Sequence, residues 1–126
     1  MRNATTPAPA PTERDAYPPD IATMRATVRR LLAADAEPLA PDVLETLAQT
    51  LRGHINTLIP AVEAVTRGLP KKDVPRMCAL ACIGEARMRL RMGDGDNDAV
   101  RLAVAVRLAR SVNALADHYE NLGGPR

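Results

Sequence analysis

The chain of 126 residues is long enough for one domain, and its 46% hydrophobic and 25% charged residues argue against a wholly disordered or a membrane-spanning protein. It has no Phe, no Trp and only two Tyr, a composition that favours helices over strands and leaves few rings on which bases or cofactors could stack. A net charge of +2 is too small to predict a polyanionic partner.

Residues 1–19 are predicted to form a disordered tail. Five of the 11 prolines lie in this segment, and each one removes a backbone donor and restricts φ, which favours an extended, unpacked chain. The opening residues hold no apolar stretch like that of a signal peptide, and no apolar run is long enough to span a bilayer. We therefore expect a cytoplasmic protein without a membrane partner, with one helical domain over residues 20–126.

The first helix is predicted over residues 20–34, with Asp20 as its N-cap. Apolar residues recur along one face of this helix at helical spacing, namely Ile21, Met24, Val28, Leu31 and Leu32. Two prolines in the segment DAEPLAP end the helix, and the second of them, Pro41, suits the first turn of the next one.

The second helix is predicted over residues 41–67. Its apolar residues alternate at spacings of three and four, as in a packing seam: Leu44, Ala48, Leu51, Ile55, Leu58, Val62 and Val65. Three further residues, Val43, Leu47 and Ile59, widen this face and favour burial in a bundle over a two-stranded rod. Pro60 should kink or break the helix, because proline removes a backbone bond and clashes with the preceding turn.

The third helix is predicted over residues 74–92, with Asp73 as its N-cap and Pro75 in its first turn. Its apolar residues predict a broad core-facing side made of Met77, Leu80, Ala81, Ile83, Gly84, Met88 and Leu90. The small residues Ala81 and Gly84 lie in the middle of that side, where they should permit close approach of a neighbouring helix.

The fourth helix is predicted over residues 98–122, with Asp96 or Asp98 as its N-cap and Gly123 just beyond its end. Its core residues are predicted to recur every three or four positions, at Val100, Val104, Leu108, Val112, Leu115, Tyr119 and Leu122. Connections of about five to eight residues suit antiparallel neighbours. The sequence therefore predicts an all-α, antiparallel bundle of about four helices.

Two cysteines and two histidines supply the ligand types of a tetrahedral zinc site. Cys78 and Cys82 are four residues apart on one side of the third helix, while His54 and His118 lie on other helices. Free cysteines are more often small buried residues. The loop over residues 94–98 begins like a calcium loop but lacks the glycine and the glutamate that complete one. We expect no metal and no cofactor.

Candidate general acids or bases are His54, Glu85 and His118. The sequence has no glycine-rich phosphate loop, no nucleophile elbow and no HExxH motif, so enzyme activity is not the favoured hypothesis. A possible anion-binding or partner-binding patch consists of arginines on the third and fourth helices: Arg87, Arg89, Arg91, Arg101, Arg107 and Arg110. The simpler interpretation is that they form a solvated face.

Three segments carry a resemblance to a known family. They are LRGHINTLIPAVEAV, DVPRMCALACIGEARMRLRMGDGD and AVRLAVAVRLARSVNALADHYENLGG. Over residues of about 40–124 the chain resembles a family of small actinobacterial helical proteins of unknown function, whose members are labelled natural-product biosynthesis proteins. The resemblance implies a link to specialised metabolism but carries no catalytic residue over to this chain.

The favoured hypothesis from the sequence is a non-catalytic accessory or interaction protein that self-associates. A small chain without large aromatic residues buries little surface by itself, and oligomerisation is one remedy. Two alternatives remain. One is a small-molecule-binding or enzymatic bundle in natural-product biosynthesis, with an interior cavity lined by His54 or Glu85. The other is a regulatory nucleic-acid binder that uses the arginines of the third and fourth helices.

Overall fold

A computed structural model describes residues 18–33 and 38–123 of the chain. Four helices account for most of this part: α1 (Ile21–Leu32), α2 (Pro41–Thr66), α3 (Val74–Leu90) and α4 (Asp98–Asn121). The described residues contain no strand, so the all-α prediction is confirmed. Most of the predicted tail, residues 1–17, lies outside the described residues.

The helix starts follow the capping signals at two places and depart from them at a third. The side chains of Asp20 and Asp73 accept hydrogen bonds from the backbone N–H three residues later, at 3.1 and 2.9 Å. The prediction of Asp96 or Asp98 as the N-cap of α4 was wrong. Asn97 takes that position in an extended conformation and accepts from the N–H of Val100 at 3.0 Å, because an Asn side chain caps as well as Asp does.

Helix α2 continues through Pro60 and ends at Thr66, so the proline does not break it. A proline costs one backbone hydrogen bond in a helix interior. The side chains of Leu58, Ile59 and Val62 around it are all buried, and this packing offsets the local loss. Pro41 begins the helix, as predicted.

Helix α1 packs antiparallel to α4, and α2 packs antiparallel to α3, which confirms the predicted antiparallel bundle. Arg25 near the start of α1 bonds to residues near the end of α4, and Arg52 of α2 bonds to the carbonyl of Leu90 at the end of α3. The most extensive contact, however, joins α2 and α4, which run parallel, since Asp42 and Arg101 near their N-termini line one groove. Among the described residues, α1 and α3 each pack against this central pair and not against each other.

Small residues are frequent among the buried side chains of the central helix α4. The predicted faces of α2 and α4 are buried for the most part, and α4 also buries Ala105, Ala109 and Ala116 completely. Alanine at a helix contact permits the shorter interaxial distances. The absence of large rings in the sequence thus corresponds to a core of small and aliphatic side chains and one Tyr. The prediction that Leu32 and Val100 face the core was wrong, since both lie near a helix end and remain exposed.

The predicted core face of α3 was largely wrong. The residues of α3 that are buried are Ala79, Ile83 and Ala86. Most of the others predicted to face the core are exposed at the surface, namely Met77, Leu80, Ala81, Gly84 and Met88. Apolar residues lie all around this helix, so their spacing does not select one side. The narrow side with small alanines meets the α2–α4 pair.

Candidate functional site

An exposed apolar strip runs along the outer side of α3. It consists of Val74, Met77, Ala81, Gly84 and Met88, at alternating spacings of three and four, and we call it the α3 stripe. Val74, Met77 and Met88 are 66%, 55% and 60% exposed. The stripe is about 21 Å long at 1.5 Å per residue. Spacings of three and four keep side chains on one helical face, the pattern by which one helix packs against another.

The side chains of the α3 stripe are small at its centre and larger towards its ends. Ala81 and Gly84 lie in the middle, and a Cβ built on Gly84 meets no atom within 4 Å. Large flexible methionines stand on either side of this depression. Leu80 and Cys78 flank the stripe and are exposed as well. A second helix could therefore come close at the centre while the methionines pack around it.

The C-terminal end of α3 is fixed by Arg52 of α2. Its guanidinium donates to the carbonyl oxygens of Leu90 and Met92 and to Oδ1 of Asp94, each at 2.9 Å. A cation at a helix C-terminus satisfies carbonyls that have no partner within the helix and is favoured by the helix dipole. The α3 stripe is thus presented by a helix with one end held firmly.

Two arginines predicted for anion binding instead attach α3 to its neighbours. Arg89 donates to the carbonyl oxygen of Arg107 at 3.2 Å and to Oγ of the buried Ser111 at 2.9 Å. It also forms an ion pair with Glu85 at 3.4 Å. Arg87 pairs with Glu63 of α2 at 2.9 Å. These contacts hold α3 against α4 and α2.

The other four arginines of the predicted patch divide into two groups. Arg101 pairs with Asp98 within α4 at 3.3 Å. Arg91, Arg107 and Arg110 are exposed, and their side chains form no ion pair with any described residue. Three of the six predicted arginines are therefore already matched by a carboxylate.

The candidate acid–base residues lie on different sides of the bundle. His54 of α2 shares a hydrogen bond of 3.1 Å with Thr27 of α1, and burial lowers the pKa of His54, against the opposing effect of the Asp20 charge. Glu85 lies on α3, which does not contact α1 among the described residues, and it pairs with Arg89. His118 lies in the last turn of α4. No hydrogen bond or ion pair within the described ranges joins these three candidates.

The two cysteines are free. Cys78 is exposed and Cys82 is half-buried. Burial, with a smaller contribution from the Glu85 charge, raises the pKa of the Cys82 thiol, so Cys82 is protonated at neutral pH. In the part of the chain that the structure describes, no three His, Cys, Asp or Glu side chains come together in a way that could hold a metal ion.

Three of the open grooves that the described residues form lie at the helix ends. One of about 590 Å³ lies at the start of α2 and the loop before α4, a second of about 420 Å³ adjoins it, and a third of about 560 Å³ lies between the start of α1 and Glu120. Neither His54 nor Glu85 lines any of the three. In the loop that resembles the start of a calcium site, Asp94 bonds to Arg52 and Asp98 to Arg101.

Two structural arginines were missed by the sequence analysis. Besides Arg52, Arg25 of α1 donates to Asp117 and Glu120 of α4 at 2.8 and 2.7 Å and to Asn113 at 3.3 Å. The bonds to Glu120 and Asp117 raise the pKa of Arg25. The available signal was a long cation beside an apolar seam, although only Arg52 is the single Arg or Lys of its helix, since α1 also holds Arg29 and Arg30. At such a position the aliphatic stem packs and the head group reaches a neighbouring helix.

Residues 22–124 match the family of unknown function DUF6415, and the chain belongs to this family. No curated protein and no solved structure matches the chain. Among the described helices, none has an apolar stretch long enough to cross a bilayer.

Proposed function

We propose that this member of the DUF6415 family is a non-catalytic accessory protein that binds another polypeptide through the α3 stripe. The proposal depends on one observation: α3 exposes Met77 and Met88 on one face, whereas α2 and α4 bury most of their large apolar side chains. A contiguous apolar strip on the surface of a small protein typically marks an interaction site. Methionine suits such a site because its unbranched side chain adapts to the partner.

The alternatives have less support. A ligand-binding or enzymatic bundle calls for a cavity lined by His54 or Glu85, and the three grooves are lined by other residues. A nucleic-acid binder calls for a cluster of available cations. Arg87, Arg89 and Arg101 are instead paired with carboxylates of the same chain.

The wider role that we propose is in actinobacterial natural-product biosynthesis, in the cytoplasm. This part of the proposal is supported by the resemblance of the three quoted segments and by the composition of the chain. An accessory role fits a small helical protein whose described residues do not bring the three acid–base candidates together, because its contribution is to hold another protein.

The experiment is a pull-down from the producing cell with three tagged forms of the full chain, read by mass spectrometry. The stripe variant carries Met77→Gln and Met88→Gln. The matched control carries Leu32→Gln and Val100→Gln, since both of these residues are exposed and apolar but lie outside the stripe. We expect a protein, which can be the untagged chain itself, to be retained by the wild type and the control and lost from the stripe variant. Identical sets of proteins in all three samples would overturn the proposal.

A further inference from the structure

We infer that the α3 stripe is covered by the α3 stripe of a second copy of this chain, with the two helices antiparallel. This inference rests on the proposed function and specifies its partner. The first argument is the spacing of four stripe residues, Met77, Ala81, Gly84 and Met88, which is symmetric about a point between Cys82 and Ile83. A two-fold axis through that point is the symmetry of an isologous dimer, in which one surface binds its own copy.

The symmetry pairs these four stripe residues with one another. With the axis at this point, Met77 of one copy lies level with Met88 of the other, and Ala81 lies level with Gly84. The large side chains thus meet at the two outer layers and the small residues meet at the centre. Spacings of three and four produce a crossing angle of about 20°, and small central residues allow helix axes to approach to about 8 Å. Gly84 has open space around it for such an approach.

The charges favour the antiparallel arrangement. It places Arg91 of each copy beside Val74 and Asp73 of the other, so that the Arg91 stem covers Val74 and the guanidinium reaches the Asp73 carboxylate. Arg91 is exposed and forms no ion pair with the described residues of its own chain. Asp73 uses Oδ2 to cap α3, and Oδ1 accepts no hydrogen bond in the described ranges. A parallel pair would instead bring Arg91 close to its own copy, where like charges repel.

The size of the contact sets the expected affinity. Helix α3 has 17 residues and is about 26 Å long. One pair of such helices falls at the small end of specific interfaces, below about 1,200 Å² in total. We therefore expect a reversible dimer with a Kd of about 1–100 µM, which corresponds to a transient contact.

Disulfide cross-linking of the full chain tests the partner and its direction together. The native thiols are removed by Cys78→Ser and Cys82→Ala, and two variants, Met77→Cys and Met88→Cys, are then made in this background, one of them tagged. In the antiparallel dimer Met77 lies level with Met88 of the other copy. Two copies of Met77 lie about 16 Å apart along the axis, too far for a disulfide, which requires Cα atoms within about 7 Å.

We expect the mixed sample to form the cross-link between the tagged and untagged chains, and each variant alone to form none. Cross-linking of Met77→Cys by itself, without the mixed product, would show a parallel pair and overturn the inference. Absence of any cross-link, together with a wild-type chain that sediments as a monomer up to about 100 µM, would also overturn it. In that case the pull-down still decides whether the α3 stripe binds a different protein, so the two proposals fail separately.

Discussion

Helices α3 and α4 contain similar residues, rich in alanine, arginine and aliphatic side chains, but they place their apolar groups differently. Helix α4 buries nine residues, from Val104 to Tyr119, whereas α3 buries three. Helix α4 lies in contact with all three other helices, and α3 contacts two. An apolar residue is therefore a core residue only where another element covers it. On α3 this leaves a strip that is available to a second polypeptide.

The largest expected difference between the two helices is in the cost of truncating an apolar side chain. Leu108→Ala in α4 removes a completely buried side chain and should lower the free energy of unfolding by about 2–5 kcal/mol. Met77→Ala in α3 should change it by less than about 0.5 kcal/mol for the monomer. Urea denaturation of dilute protein measures both values. Equal losses would show that Met77 contributes to the core as much as Leu108 does.

The stability of the bundle should depend more on Arg52, which holds the end of α3, than on an exposed ion pair. Arg52→Met keeps the stem and removes the bonds to Leu90, Met92 and Asp94. We expect a loss of about 1–3 kcal/mol, because two carbonyls at the end of α3 lose a charged donor. The control, Arg101→Met, removes only an exposed pair with Asp98 and should cost less than about 1 kcal/mol.

Hydrogen exchange separates a local from a global effect of the Arg52→Met change. We expect the amides in the last turn of α3 to lose protection first, while those at the centre of α4 remain protected. Uniform loss throughout the bundle would contradict the assignment of Arg52 to the end of α3.

Two glycines provide a comparison that separates stability from association. Gly84 in α3 and Gly53 in α2 are both exposed within a helix, and a Cβ at either position meets no atom within 4 Å. Gly53→Gln and Gly84→Gln should each stabilise the monomer by about 0.5–1 kcal/mol, since glycine is a poor helix former.

Only Gly84→Gln should prevent self-association, because its side chain occupies the centre of the α3 stripe. Sedimentation equilibrium measures the dimer, and thermal unfolding of dilute protein measures the monomer. Retention of the dimer by Gly84→Gln would argue against close contact at the centre of the stripe.

The smallest expected effect is on the pH dependence of stability and arises from His54, where α2 contacts α1. Burial lowers the pKa of His54 below its usual value of 6.5, so the unfolded chain binds a proton more readily than the folded one. Above about pH 6.5, His54 is neutral in both states and the free energy of unfolding is not reduced. As the pH falls from 6.5 through the lowered pKa, the unfolded chain takes up a proton first, and the free energy of unfolding decreases. The variant His54→Gln should show a weaker decline in stability over this range. An unchanged pH profile would place His54 outside the buried boundary between α1 and α2.

Capping residues and the spacing of apolar residues were sufficient to predict the four helices. They also predicted the buried sides of α2 and α4, each of which has one broad apolar face. The predicted bounds differ from the observed ones by at most two residues at any end. Asp20 and Asp73 cap as expected, because capping depends on a side chain and a backbone N–H three residues away. The seams of α2 and α4 were predictable since each helix has one clearly apolar side.

The local pattern of capping and apolar residues thus specifies the four helices and the sides that α2 and α4 bury. Tertiary structure decided which side of α3 faces the core, because a helix with apolar residues all around packs wherever its small residues fit, here through Ala79 and Ala86. It also decided the parallel contact of α2 with α4 and the roles of Arg25 and Arg52, whose partners lie about 90 and 40 residues away in the chain. Such distant partners leave no periodic trace in the sequence.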